Sequence, residues 1–310
     1  MILEKKYILA TTVQEAIEQA IANKGNFKYL AGGTDVMVNK FQGNETSGCL
    51  IDINKIAELK GIAKQGDFLR IGALEILEEL KFNSEIKAEF PMLIEAALSV
   101  GSPLIRKTAT IGGNVLCENR CLFYNQSEWW RESIGYCLKC DGDICIATGG
   151  KNACFSELVS DTAPALIAMD AEIEYIDEKG THRQKLEEIY TGDGIKPINI
   201  PETAIVTALF LPLNRGFKTA FFKLRERESL EFTSLTSAVA LDKNGKLKIA
   251  LSGVDPKPVV MEGNVNDDKA ALIKNAIKGS RAVDNDMYSR KYRRDMITVY
   301  LERSFKQLTR

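Results

Sequence analysis

Residues 110–121 read Thr-Ile-Gly-Gly-Asn-Val-Leu-Cys-Glu-Asn-Arg-Cys, and they join a glycine turn to a segment rich in cysteine. Six of the seven cysteines of the chain lie between Cys117 and Cys154, and only Cys49 lies outside that segment. Such a concentration of thiols indicates a shared task, which is a set of disulfides, a zinc site or an iron–sulfur cluster. The flanking sequence indicates which cofactor or ligand would lie near these thiols.

The composition limits the compartment and the partners. The 41 basic and 42 acidic residues are interspersed, and their charges nearly cancel. The sequence therefore shows no basic patch that would indicate a nucleic-acid partner. No apolar run reaches the ~18 residues of a membrane-spanning helix, and the N-terminus lacks the apolar core of a signal peptide. We therefore expect a cytoplasmic protein without nucleic-acid or membrane partners. In that reducing compartment, clustered thiols favour a metal over disulfides.

Histidine is nearly absent from the chain, and His182 is the single one. Without imidazole, Ser-His-Asp chemistry and the usual histidine-bearing catalytic zinc sites are disfavoured. We find no convincing general acid, base or nucleophile, so no catalytic residue is assigned. At 310 residues the chain is longer than most single cores, which predicts two or three packed domains.

Another glycine loop precedes this segment in the chain. It reads Leu30-Ala31-Gly32-Gly33-Thr34-Asp35, follows a predicted strand at 27–30 and leads into a helical turn at 36–41. We name residues 30–35 the first glycine loop and residues 110–114 the second. Paired glycines let backbone N–H groups turn toward an anion, although a tight turn without a ligand is the alternative. Neither loop fits the dinucleotide-binding pattern or the P-loop.

The hydrophobic pattern predicts the remaining elements. A helix capped by Thr12 ends at Gly25, and a second capped helix begins within 160–166. Residues 100–110 are predicted to be irregular, and Cys49 is predicted to be a core thiol. Further strands are predicted at 49–53, 68–71, 204–211, 220–224, 237–241 and 247–251, and further helices at 73–80, 91–98, 267–277 and 289–308.

Three motifs in this order resemble a known family. They are the first glycine loop, the second glycine loop and Ser160-Asp161-x-x-Pro164-Ala165-Leu166. Together they are similar to the FAD-binding subunits of the xanthine dehydrogenase and carbon monoxide dehydrogenase family, and the match covers nearly the whole chain. The segments at 222–225 and 292–294 fall where that family has comparable C-terminal motifs. Lys107 departs from the pattern, since many relatives carry Asn there.

The resemblance implies the architecture. It is α+β, with an FAD-binding fold of the PCMH type in residues 1–213, made of two α/β subdomains with an inserted iron–sulfur loop. A C-terminal α+β domain, a sheet with helices, would follow in residues 214–310.

The resemblance also implies an FAD site. The pyrophosphate would lie against the backbone of the two glycine loops, and Asp161 would hold a polar part of the cofactor. Read without the family, Asp161 is a helix N-cap and Lys223 a solvated strand residue. The residues implied for FAD are Tyr29, Leu30, Ala31, Gly32, Gly33, Thr34, Asp35, Val36, Val100, Thr110, Ile111, Gly112, Gly113, Asn114, Asp161, Val206 and Lys223.

The cysteines lie in an insertion at about 116–156, which most members of the family lack. It resembles the insertion of the 4-hydroxybenzoyl-CoA reductases, which binds a [4Fe-4S] cluster. Residue by residue, this resemblance implies the ligands Cys121, Cys137, Cys145 and Cys154, and leaves Cys117 and Cys140 outside. Thiolates suit zinc as well as iron–sulfur clusters, and the Cys-x-x-Cys pair at 137–140 would suit a zinc knuckle, so the residues alone leave both open. A neighbouring flavin favours the one-electron carrier.

The resemblance finally implies a function in electron transfer. The chain would join a molybdenum-cofactor catalytic subunit and a small [2Fe-2S] subunit in a hetero-oligomer. Ferredoxin would supply electrons for the reduction of 4-hydroxybenzoyl-CoA to benzoyl-CoA in anaerobic aromatic degradation. One alternative is a flavin subunit of another molybdenum hydroxylase with a zinc-binding or empty insertion. Another is a non-catalytic scaffold stapled by zinc.

Overall fold

The computed structural model describes residues 5–309, and within them the strands form three sheets. The strands are β1 (Lys6–Leu9), β2 (Phe27–Leu30), β3 (Cys49–Asp52), β4 (Ile62–Gln65), β5 (Phe68–Gly72), β6 (Glu172–Asp177), β7 (Gly180–Lys185), β8 (Ile205–Pro212), β9 (Lys218–Leu224), β10 (Leu235–Leu241), β11 (Lys246–Ser252) and β12 (Val259–Asn264). The helices are α1 (Val13–Ala22), α2 (Val36–Phe41), α3 (Ser84–Glu89), α4 (Pro91–Leu98), α5 (Pro103–Arg106), α6 (Ile111–Val115), α7 (Glu128–Ser133), α8 (Thr162–Ala168), α9 (Lys269–Gly279) and α10 (Arg290–Leu308). Short 3₁₀ turns lie at Ala57–Leu59, Leu80–Phe82, Leu138–Cys140 and Leu186–Ile189.

The first sheet is parallel and has the strand order β1-β3-β2. Helix α1 begins where Thr12 accepts a hydrogen bond from the N–H of Glu15 at 3.1 Å, and it buries an apolar face against this sheet. Strand β2 ends at Leu30, so the first glycine loop leaves the carboxyl end of a parallel strand. Ligands bind at such ends in open α/β sheets.

The second sheet has the order β4-β5-β8-β6-β7 and is antiparallel throughout. Its inner face packs with α4, α6 and α8 in the largest apolar core of the described chain.

The third sheet, β12-β11-β10-β9, is also antiparallel. Helices α9 and α10 cover one part of it, while α8 packs against its central strands β10 and β11 and α4 packs against the edge strand β9. The mixed α+β class is therefore confirmed.

Residues 73–80 do not form the predicted helix. Their apolar residues are buried, but the backbone follows turns, and Ile76 forms a β-bridge with Thr110. The carbonyls of Ala73 and Glu75 accept hydrogen bonds from the second glycine loop instead of from their own segment. Tertiary pairing has overridden the local pattern.

Two further differences are small. Residues 100–110 contain the short helix α5, which Ser102 caps by accepting from the N–H of Ile105 at 3.4 Å. The sequence analysis also left out the edge strands β1, β4, β7 and β12, whose side chains are largely exposed or partly buried, and the strand β6, which lies between β8 and β7. No helix between residues 5 and 309 is both long and apolar enough to cross a membrane.

The predicted domain boundary falls just after β8. Asn214 there has a positive φ of 58°, in a turn between the second and third sheets. Because α4 and α8 pack against the third sheet, the two parts share an apolar interface. The division into residues 1–213 and 214–310 stays a prediction.

Candidate functional site

A cavity of about 490 Å³ lies between the first sheet, the second glycine loop, the insertion and the loop after β9. The FAD residues implied by sequence that line it are Tyr29, Ala31, Gly32, Gly33, Thr34, Asp35, Val36, Val100, Thr110, Gly112, Gly113, Asn114, Asp161 and Val206. The other three implied residues, Leu30, Ile111 and Lys223, do not line it. Residues from distant parts of the sequence thus meet at one cavity large enough for a sizeable ligand.

The first glycine loop presents unbonded donors at this cavity. The backbone N–H groups of residues 32–36 have no acceptor within the described chain. Gly33 has a φ of +73°, a conformation that favours glycine. A Cβ on Gly32 would lie 2.0 Å from the carbonyl oxygen of Thr108, so only glycine permits that approach. The loop can therefore offer several N–H groups to an anionic ligand.

The second glycine loop is bonded differently, because it forms the start of α6. Each N–H group from residue 111 to residue 114 has an acceptor inside the protein. The bonds are Ile111 to the Glu75 carbonyl (2.9 Å), Gly112 to the Ala73 carbonyl (2.9 Å), Gly113 to the Thr110 hydroxyl (3.1 Å) and Asn114 to the Thr110 carbonyl (2.9 Å). Within the described chain, Thr110 is the one residue of this loop whose N–H group has no acceptor, so the loop forms a wall of the cavity with far fewer free backbone donors than the first loop.

Asn114 joins the second glycine loop to the third motif. Its side-chain oxygen accepts hydrogen bonds from the Ser160 hydroxyl at 2.9 Å and from the N–H and hydroxyl of Thr162 at 3.2 and 2.6 Å. The Ser160 hydroxyl in turn accepts from the N–H of Ala163 at 3.0 Å and so caps α8. The side chain of Asp161 makes no capping bond, so the N-cap interpretation of its carboxylate is wrong.

Asp161 instead forms a buried ion pair with Lys223 at 2.7 Å, and both side chains are about 5% exposed or less. Burial raises the pKa of the Asp161 carboxyl, and the Lys223 ammonium opposes that shift. Lys223 also donates to the carbonyls of Ser99 and Glu231 at 3.0 and 3.2 Å. Thr236 donates to the second oxygen of Asp161 at 3.2 Å. All three donors of Lys223 are therefore used, and Lys223 reaches the cavity only through Asp161.

The insertion also contributes to the cavity, which sequence reasoning missed. The side chain of Arg120 forms an ion pair with Asp35, and the N–H of Glu118 donates to the same carboxylate at 3.1 Å. The Arg120 guanidinium lies 5.1 Å from the ring centroid of Phe232. The only signal in the sequence is that these residues directly follow the second glycine loop. The lining residues from the insertion are Leu116, Cys117, Glu118, Arg120 and Tyr124.

Four cysteines line a second and much narrower cavity, of about 10 Å³. Those four are the implied ligands Cys121, Cys137, Cys145 and Cys154, whereas Cys117 and Cys140 do not line it. Burial raises the pKa of the Cys121 thiol to about 12, while a hydrogen bond from Cys140 lowers that of Cys137 to about 6. Within residues 5–309, no three His, Cys, Asp or Glu side chains converge closely enough to hold one metal ion.

The two cavities share a wall. The ring of Tyr124 lines both of them. Lys139, whose side chain is 4% exposed, lines the cysteine cavity and donates to Glu118 of the larger cavity at 2.5 Å. The carbonyl of Gly194 is a second acceptor for the Lys139 ammonium. Groups bound in the two cavities would therefore be close neighbours.

The comparisons with known proteins all indicate the same family. Residues 3–214 match the family described as the FAD binding domain in molybdopterin dehydrogenase. The FAD-binding subunit PaoB of an Escherichia coli aldehyde oxidoreductase is 31% identical over 248 residues, which cover 74% of this chain and 76% of that protein. The medium chain of a Sulfolobus acidocaldarius glyceraldehyde dehydrogenase is 24% identical over 318 residues, 98% of both chains. A carbon monoxide dehydrogenase structure from Hydrogenophaga pseudoflava shares the fold, with a TM-score of 0.75 and 21% identity over 99% of this chain and 98% of that one.

Proposed function

The chain belongs to the family of FAD-binding domains of molybdopterin dehydrogenases, and from this premise we propose that it is the FAD- and [4Fe-4S]-carrying electron-transfer subunit of a molybdenum enzyme. Its relatives are subunits of oxidoreductases. FAD supplies the exchange between one- and two-electron transfers when it is bound. The protein residues bind and orient the cofactor, and the substrate would be converted on a partner subunit.

The larger cavity suits FAD in its backbone donors and its apolar walls. The unbonded N–H groups of residues 32–36 would hold the pyrophosphate, and the second glycine loop would close the site as a wall. Asp161, held by Lys223, would accept a hydrogen bond from a polar part of the cofactor. Val100 and Val206 would provide apolar contact. This division of labour between the two loops refines the expectation that both contact the pyrophosphate through their backbone.

The single observation that supports the cluster is the shared cavity of Cys121, Cys137, Cys145 and Cys154. Four thiolates complete the ligand set of a [4Fe-4S] cluster, and their soft sulfur atoms suit iron–sulfur chemistry. The cavity between them is smaller than any such cluster, so the four side chains would have to separate as the cluster enters. A cluster there would lie across the Tyr124 wall from the flavin.

We propose that the substrate of the complex is 4-hydroxybenzoyl-CoA. The support for this substrate is the cysteine insertion, which resembles that of the 4-hydroxybenzoyl-CoA reductases. The relatives compared above are named for aldehydes, glyceraldehyde and carbon monoxide, so they do not supply this substrate. Reduction to benzoyl-CoA takes up two electrons and two protons and releases water. Reduced ferredoxin would give the electrons one at a time to the cluster, from which they would pass through the flavin to the small [2Fe-2S] and molybdenum subunits. A cytoplasmic hetero-oligomer is part of the same proposal.

An absorption spectrum of protein purified without oxygen tests the cofactor content. We expect flavin bands together with a broad iron–sulfur shoulder. Serine at each of the four ligand positions should remove iron, whereas the control variants Cys117→Ser and Cys140→Ser should retain it. Zinc in place of iron, or loss of metal in Cys140→Ser but not in Cys121→Ser, would favour the Cys-x-x-Cys site and a different molybdenum hydroxylase.

Stopped-flow reduction by ferredoxin tests the direction of electron transfer. Without oxygen, reduced ferredoxin should reduce the flavin of the intact protein quickly and that of Cys145→Ser slowly, at matched FAD content. Equal rates of flavin reduction in the two proteins would show that electrons do not enter at the cysteine site. The site would then have a structural role only.

A further inference from the structure

Arg120 is a buried arginine of the insertion with unused hydrogen-bond donors at the larger cavity. Its side chain is 4% exposed and lines the cavity. Within the described chain, its guanidinium has a single hydrogen-bond partner, the carboxylate of Asp35. Its Nε is buried and has no partner. A guanidinium carries five N–H donors, so donors beyond the one bonded to Asp35 remain unused within the described chain.

The charges around the cavity make this arginine unusual. Five carboxylates line the cavity, from Asp35, Glu45, Glu118, Asp161 and Glu231. The basic residues among the lining side chains are Lys28 and Arg120. The side chain of Lys28 is 49% exposed and lies 3.6 Å from Glu45, so solvent screens it. Arg120 is therefore the buried cation of the cavity and the natural partner of an anionic ligand.

The position of Arg120 indicates which part of FAD it would contact. Its partner Asp35 stands at the end of the first glycine loop, beside the unbonded N–H groups of residues 32–36. A guanidinium matches the oxygen atoms of a phosphate and strengthens a site built of backbone donors. The flavin ring is neutral when oxidised, whereas the pyrophosphate always carries negative charge. Phosphate oxygens in the cavity would accept from the guanidinium N–H groups that reach it.

We propose that Arg120 binds the pyrophosphate of FAD, so that the insertion supplies part of the flavin site. This inference rests on the proposed FAD-binding function. Asp35 acts as the positioning residue, because its carboxylate holds the guanidinium against the first glycine loop. The same carboxylate repels the pyrophosphate, so Asp35 and Arg120 have opposite effects on FAD affinity.

The test is a titration of FAD-free protein with FAD, followed by flavin fluorescence, alongside the melting temperature of each FAD-free protein. Arg120→Met should bind FAD roughly 10- to 100-fold more weakly, the loss expected for a hydrogen bond to a charged group. Arg120→Lys, which keeps the charge without the planar fork, should show a smaller loss. Asp35→Asn, whose amide oxygen can still accept from the guanidinium but carries no negative charge, should bind FAD more tightly. The midpoint potential of the bound flavin should be the same in Arg120→Lys and the wild type.

The outcomes distinguish a failure of the Arg120 proposal from a failure of the proposed FAD-binding function. Failure of the wild-type protein to bind FAD would overturn the proposed function. Wild-type affinity in Arg120→Met would overturn the role of Arg120 alone, and so would a shifted midpoint potential in Arg120→Lys, which would indicate contact with the flavin ring. If Arg120→Met does not fold, the Asp35→Asn/Arg120→Met double variant removes both charges of the pair. It should bind FAD more weakly than Asp35→Asn, and equal affinity would again contradict the inference.

Discussion

The two glycine loops are similar in composition but differ in what their backbone N–H groups bind. In the first loop, residues 32–36 line the large cavity, and their N–H groups have no acceptor in the described chain. In the second, the N–H groups of residues 111–114 are all bonded within the protein. The difference lies in the neighbours, since the segment at 73–75 and the Thr110 side chain supply acceptors to the second loop only.

The glycines within each loop also divide their tasks. Gly32 and Gly112 permit close packing, because an added Cβ would lie 2.0 Å from the Thr108 carbonyl in one case and 2.8 Å from Ala73 in the other. Gly113 faces the cavity, and an added Cβ there would meet only the Thr110 hydroxyl, at 3.0 Å. A glycine pair therefore identifies a tight backbone, and the surrounding acceptors decide whether its donors are available to a ligand.

Hydrogen exchange gives the sharpest test of this comparison. In FAD-free protein, the amides of residues 32–36 should exchange about a thousandfold faster than those of 111–114, because bonded amides exchange only after local opening. Addition of FAD should then protect the first loop far more than the second. Two-dimensional NMR or mass spectrometry would measure both effects. Equal protection of the two loops before addition of FAD would break the comparison.

Gly113→Leu tests the second loop as a wall of the cavity. The leucine side chain would enter the space proposed for FAD, so we expect FAD affinity to fall about a hundredfold or more, from lost contacts and steric overlap. The FAD-free variant should melt within a few degrees of the wild type, since the Cβ meets one side-chain atom, the Thr110 oxygen at 3.0 Å, and no backbone. Gly113→Ala serves as the control that adds a Cβ without the bulk, with a much smaller loss. Full FAD occupancy in Gly113→Leu would show that the cofactor lies elsewhere.

Gly32→Ala tests the packing role in the first loop. A methyl group 2.0 Å from the Thr108 carbonyl requires the backbone to move, which should cost about 3 kcal/mol of unfolding free energy. Gly113→Ala, in the second loop, should change it by less than about 1 kcal/mol. Urea denaturation of FAD-free proteins would provide both values. A similar cost for the two variants would mean that the loops are packed alike.

Thr110→Ala has the smallest expected effect. The Thr110 hydroxyl caps α6 by accepting from the N–H of Gly113, and loss of such a cap costs about 1 kcal/mol. The freed Gly113 amide should exchange faster, so that the second loop becomes more like the first at this one residue. Denaturation and amide exchange would measure the two effects, and Thr110→Ser should restore both. Slow exchange of Gly113 in Thr110→Ala would point to another acceptor.

Much of the fold could be predicted from the sequence where pattern and packing agree. Helix α1 has its capping Thr12 and a buried face, and the strands β10 and β11 are apolar runs around a turn. Strand β7 was missed because it is polar and is a strand only through its pairing with β6. The helix predicted at 73–80 failed for a related reason, since its carbonyls serve the second glycine loop.

The site was predictable in part. Most of the residues that the family motifs implied for FAD line the large cavity, and the four implied cysteines share one cavity. Which backbone donors are free could not be predicted, because the acceptors for residues 111 and 112 lie almost 40 positions earlier in the chain. Arg120 carries no motif either, and only the fold brings it to Asp35.

The antiparallel bridge at the neck of the insertion has a consequence for how such a chain could arise. Arg120 and Glu157 exchange backbone hydrogen bonds of 2.9 and 2.7 Å, and Asn114 ties the second glycine loop to Ser160 and Thr162 just beyond. The polypeptide therefore leaves the host fold and returns to it at one point. Once that neck is closed, doubling the enclosed loop would cost only about 0.6 kcal/mol. A cysteine-bearing cassette could thus be grafted, lengthened or exchanged without a change in the register of any host strand.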